Sequence, residues 1–171
     1  MSYAGTINDI YQLGAYTGSN GIGEELKTIS EIIEKMIDED LRSATKGRHQ
    51  RLYESLSEVY EENLEINWDG YDARPVTVEA YLEAFYLISL LPTSIPLPDE
   101  ILPEPTGDIT FEWYMDKHHV FLISVSGNNI LTYAGLFGKM SRTSGAEYYT
   151  DSLPAIITEK IQRLFEQVGK D

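Results

Sequence analysis

The sequence predicts an α+β fold, on three observations. Apolar residues recur at three- and four-residue steps between Glu24 and Leu64, and again after Asp151, which marks amphipathic helices. Between these regions Ile109, Phe111, Trp113 and Met115 alternate with Thr110, Glu112, Tyr114 and Asp116, the period of a strand with one buried face. A stretch holding Pro92, Pro96, Pro98, Pro103 and Pro105 separates the helical pattern from the alternating one. The expected order is N-terminal helices, a further helix, a three-stranded antiparallel meander and a C-terminal helix, in a two-layer arrangement with the helices on one sheet face.

Residues 1–23 are rich in Gly, Tyr, Asn and Ser without sustained periodicity and are expected to form an N-terminal arm. Residues 24–66 make a helical part. In it Leu26, Ile29, Ile33, Met36, Ile37 and Leu41 share one helix face, and Leu52, Leu56, Val59, Tyr60 and Leu64 share a second. Ser43–Gly47 lies between these stripes, and a glycine inside a helix costs roughly 1 kcal/mol against alanine, which favours a hairpin over one rod.

Residues 67–171 are expected to form the α+β domain. Thr77 is a good N-cap, and the helix it starts is apolar around most of its circumference as far as Leu91, so it should be buried on more than one side. Pro92 ends it, and the prolines that follow suggest an extended crossover. Asp116-Lys117 is the expected turn before a strand from Val120 to Ser126; Gly127-Asn128-Asn129 is the next turn, leading to a third strand from Ile130 to Phe137. Asp151 or Ser152 should cap a closing helix whose stripe is Leu153, Ile156, Ile157, Ile161, Leu164, Phe165 and Val168.

Composition narrows the function classes. Cysteine is absent from the 171 residues, which removes disulfides, thiolate zinc sites and cysteine nucleophiles. The net charge is -15, of which residues 67–108 carry -7 and residues 109–171 only -1. Such a field repels nucleic-acid backbones and anionic membrane surfaces and favours encounter with a basic protein. No stretch approaches the roughly 20 apolar residues that span a bilayer, and Met1–Gly5 does not begin a signal peptide, so a cytoplasmic protein is expected.

The densest motif is Asn67-Trp68-Asp69-Gly70-Tyr71-Asp72-Ala73-Arg74-Pro75. Its oxygen ligands sit near a glycine, but the spacing is not that of an EF-hand loop. A structural turn is the better reading, with Asp69-Gly70 as the bend, Asp72 or Asn67 bonding nearby amides, and Trp68 and Tyr71 as anchors in the core. His118 and His119 are adjacent and would point to opposite faces of a strand. Gly18–Gly23 lacks the Gly-Lys-Ser/Thr of a phosphate loop, and Ser124 and Ser126 lack a nucleophile elbow. The basic island Arg42, Lys46, Arg48, His49 and Arg51 balances charge on a helix surface. No catalytic, cofactor or metal residue is assigned. The candidate interaction or structural-motif residues are Asn67, Trp68, Asp69, Tyr71, Asp72, Glu112 and Trp113.

Asn67-Trp68-Asp69-Gly70-Tyr71 with Ala73 and Pro75, then a helix, a Leu-Pro stop and Glu112-Trp113 in a strand, resembles a family of small uncharacterised bacterial proteins. The similarity spans about residues 64 to 167. Some similar proteins are labelled antitoxin-like, and the resemblance implies no catalytic residue.

The expectation is a non-enzymatic interaction module, of the antitoxin or immunity-inhibitor type, that offers an acidic surface to a basic protein partner. Two alternatives stay open: a small metal-dependent hydrolase or nuclease using Asp69, Asp72 and Glu112, and an oligomeric ligand-binding or scaffold protein. The last would form a homodimer through its amphipathic helices.

Overall fold

The computed structural model describes residues 46–167. The arm at residues 1–23, the helix expected from Glu24 to Leu41, and Val168 lie outside the described residues. Residues 50–167 belong to one compact unit, which holds the sheet. The elements are α1 (Lys46–Glu62), α2 (Val78–Leu90), β1 (Glu100–Pro103), β2 (Ile109–Asp116), β3 (His119–Val125), β4 (Ile130–Phe137), β5 (Arg142–Tyr148) and α3 (Ala155–Gln167). The fold is α+β.

Thr77 starts α2 as its residue type suggests: the hydroxyl oxygen accepts a hydrogen bond from the Ala80 N–H at 3.1 Å. Ala80, Tyr81, Ala84, Phe85, Leu87 and Ile88 are all buried on this helix. On one side it meets α1, where Tyr53 lies 4.5 Å from Phe85 and Tyr60 stacks 4.4 Å from Tyr81 between ring centroids. On the other it packs against β2 and β3, while α3 packs against β2, β3 and β4. An all-round apolar helix is satisfied by this double burial.

The sheet is a five-stranded antiparallel meander in the order β1-β2-β3-β4-β5, which corrects the three strands expected from sequence. β1 is masked by the prolines around it. Pro103 is its last residue, on an edge strand where a missing N–H costs no ladder bond, and Glu100 pairs with Glu112, Ile101 with Phe111 and Leu102 with Thr110. β5, Arg-Thr-Ser-Gly-Ala-Glu-Tyr, has no apolar alternation because it is the other edge and no residue on it is buried. Gly145 is needed there: a Cβ would stand 2.6 Å from Cζ of Tyr133, whose ring lies over it.

Smaller differences have local causes. The β2–β3 turn is Lys117-His118, because the Asp116 carboxylate accepts from the His118 N–H at 2.7 Å and meets His119 Nδ1 at 2.9 Å. α3 begins at Ala155 and not after Asp151 or Ser152: the Pro154 carbonyl receives the Ile157 N–H at 2.9 Å. Leu153 is buried just before that helix, and Ile157, Ile161 and Leu164 continue the apolar stripe. Gly47 lies inside α1.

Candidate functional site

The Asn67–Pro75 turn spends its polar groups on itself. Asp69 Oδ1 accepts from the Tyr71 N–H at 2.7 Å and the Ala73 N–H at 3.1 Å, and Asn67 Oδ1 accepts from the Asp72 N–H at 2.8 Å. The Trp68 indole donates to the Arg74 carbonyl at 2.8 Å. Asn67 and Asp72 both take φ 67°, a left-handed geometry that Asn and Asp tolerate better than most residues. Trp68 is half-buried, but Tyr71 is 88 % exposed, so the expected second anchor in the core is corrected to a solvent-facing ring at the tip. Among the described residues no three His, Asp or Glu are brought together in a way that would hold a metal ion. Asp69, Asp72 and Glu112 are therefore not grouped to hold a metal ion.

Glu112 and Trp113 face opposite sides of β2. Trp113 is fully buried on the helix side, and its indole N–H donates to the Pro96 carbonyl at 2.9 Å, which ties the crossover to the core. Its ring lies 6.2 Å from Phe121. Glu112 points the other way, onto the face that no described helix covers.

The register orders that second face into rows across the strands. One row reads Glu100, Glu112, Leu122, Ala134, Ser144, and the next reads Tyr114, Val120, Leu136, Arg142. A third begins Leu102, Thr110, Ser124, where the Thr110 and Ser124 hydroxyls are hydrogen-bonded at 2.6 Å. Val120, Leu122, Ala134 and Leu136 line an open groove of about 390 Å³ that Arg142 and Ser144 close on the β5 side. Leu102, Tyr114, Ile130 and Tyr148 leave further apolar surface in water on the same face. Monomeric proteins seldom expose contiguous apolar surface without a use for it.

One corner of this face is acidic. Glu100 and Glu112 are cross-strand neighbours, a pairing of like charges that destabilises a sheet. Asp99 joins them, its Oδ2 accepting from the Tyr114 N–H at 2.8 Å. Partial burial, then the Glu100 and Asp99 charges, push the Glu112 carboxyl above its ordinary value. A cation placed here would relieve that repulsion.

Sequence reasoning misses a further carboxylate. Glu83 on α2 is 5 % exposed and receives the backbone N–H groups of Gly127 and Asn128, the latter at 3.0 Å, so it clamps the β3–β4 turn onto the helix. Burial raises its pKa, and the hydrogen bonds from Gly127, Tyr149 and the neighbouring amides oppose that rise. Gly127 has φ 88°, and a Cβ on it would collide with the Glu79 Cβ and stand 2.8 Å from the Glu79 carbonyl carbon. These contacts fasten a turn; they do not assemble reacting groups. The readable signal is one acid within an otherwise apolar turn of helix, Tyr81 to Leu87.

No family model, no curated protein and no solved structure matches this chain.

Proposed function

We propose that the chain is a non-enzymatic protein-interaction module, of the antitoxin or immunity-inhibitor type, that receives a basic partner protein. The observation that carries this reading is the sheet face that no described element covers, apolar at its centre and acidic at the β1–β2 corner. β3 supports it from the sequence side: His-Val-Phe-Leu-Ile-Ser-Val is apolar on both faces, a pattern of strands that are covered on both. The net charge of -15 adds long-range attraction for a cationic protein, and carboxylates presented where a toxin expects phosphate are an effective way to block it. The resemblance of the Asn67–Pro75 segment is to a family of small uncharacterised bacterial proteins, and the antitoxin-like label on some similar proteins agrees with this reading. A cytoplasmic setting belongs to this proposal and suits the absence of cysteine.

The test is tandem-affinity purification of the full chain from its native host, followed by a salt gradient. A basic protein should co-purify and elute as salt rises, because screening shortens from about 10 Å at 0.1 M to about 3 Å at 1 M. Recovery of the chain with no basic protein would refute the reading.

A homodimer is the second reading, favoured by the same apolar face. A charge of -15 on each copy opposes it, most strongly at low ionic strength.

A further inference from the structure

We infer that the sheet face that no described element covers binds an extended cationic segment of the partner, with a Lys or Arg over Glu100 and Glu112 and aliphatic side chains in the groove beyond. This rests on the interaction-module reading and adds the location, the polarity and the residue pattern of the ligand.

The cross-strand register supplies the geometry. Neighbouring strands lie about 4.8 Å apart, so the row Glu112, Leu122, Ala134 covers about 10 Å of sheet. In an extended ligand, residues i and i+2 point the same way and stand about 7 Å apart. A basic residue held over Glu112 therefore sets the side chain two positions later between β3 and β4, above Leu122 and Ala134. The residue four positions later arrives near β5, beside Ser144 and Arg142. The pattern this face selects is basic, any, aliphatic, any, small or polar.

Charge complementarity chooses this occupant over the alternatives. The acidic corner holds Asp99, Glu100 and Glu112, and the sole basic side chain on the two rows is Arg142 at the opposite border. A ligand that brings positive charge to the β1–β2 corner separates two carboxylates that now repel across the ladder. The apolar groove then gives the contact a water-excluding centre, which charge alone does not supply. A second copy carries the same net charge of -15, which opposes its approach.

The experiment uses the full chain with methyl and backbone resonances followed by NMR. The probe is a short synthetic peptide in which Lys, Leu and Ala, in that order, alternate with Ser, and the control carries Glu in place of Lys. The Lys peptide should shift the signals of Val120, Leu122, Ala134 and Leu136 and the amides around Glu112, and the Glu peptide should shift none. Leu122→Asp and Glu112→Gln should each weaken the Lys peptide by about tenfold or more. Glu112→Gln keeps the size and shape of the side chain, so it separates lost charge from lost folding. If the Lys peptide binds elsewhere, with Glu112→Gln without effect, the location is wrong and the interaction module survives. If neither this peptide nor any basic host protein is bound, both fail. Protection of these methyls without peptide, growing with chain concentration, would put a second copy on the face and overturn the proposal. Protection in a sedimenting monomer would mean that the chain covers its own face, and would overturn it equally.

Discussion

Replacing Glu83 tests the internal logic of the fold, because the carboxylate is buried and its two amide donors belong to a turn on another element. Glu83→Ala removes the acceptor for the Gly127 and Asn128 N–H groups. Asn128 is exposed and water can take its amide, whereas Gly127 is half-buried and its orphaned donor costs about 1–3 kcal/mol. The lost methylene adds about 0.8 kcal/mol, and the relief of a buried charge subtracts from the total. A net loss of about 1–3 kcal/mol follows at neutral pH. Glu83→Gln keeps an oxygen in place and removes the charge, and should cost under about 1 kcal/mol. The pH dependence has a fixed sign. The folded-state pKa of Glu83 lies above its ordinary value of 4.5, so its titration favours folding at low pH, and that contribution is lost as pH rises through the raised value. Urea unfolding of wild type and both variants between the acid range and neutrality measures this directly. Wild type should lose stability relative to Glu83→Gln as pH rises through that window. A difference that grows in favour of wild type, or an alanine variant as stable as the glutamine one, would refute the clamp.

Four further substitutions probe Gly127 and two other sets of contacts. Gly127→Ala should destabilise by more than about 2 kcal/mol in urea unfolding, since it combines φ 88° with a collision against the Glu79 backbone. Asp69→Ala should cost about 1–2 kcal/mol, through the donor it orphans on buried Ala73, and alter the amide signals of Tyr71 and Ala73, while Tyr71→Ser at the exposed tip should change the midpoint little. Trp113→Phe should cost about 1–3 kcal/mol in thermal unfolding, through the lost bond to Pro96 and the space left beside Phe121.

Strong local patterns are legible in the sequence, and edges are not. The Thr77 cap, the doubly buried helix and the span of β4 follow from hydroxyl placement, all-round apolarity and strict turn chemistry. β1 escapes because proline density argues against strands in general, although an edge position tolerates Pro103. β5 escapes because an edge exposed along its length needs no apolar alternation. Residue type alone places Tyr71 in the core, when the hydrogen bonds of Asp69 and Asn67 already close the turn without it. The second face is half-visible: β3 carries apolar side chains in both directions, but which direction the described helices leave uncovered depends on where α2 and α3 pack, a long-range outcome that local pattern does not encode. Glu83 shows the same limit, since its donors lie more than forty residues further along the chain.

The central claim is that position on the sheet face, and not bulk acidity, creates the binding surface. Glu112→Lys and Glu159→Lys change net charge equally, yet Glu112 lies at the acidic corner and Glu159 is exposed on α3. Calorimetric titration of each full-length variant with the lysine-bearing peptide compares them under one ionic strength. The account predicts that Glu112→Lys weakens binding by about tenfold or more and Glu159→Lys by less than about twofold. Equal weakening by the two would contradict it.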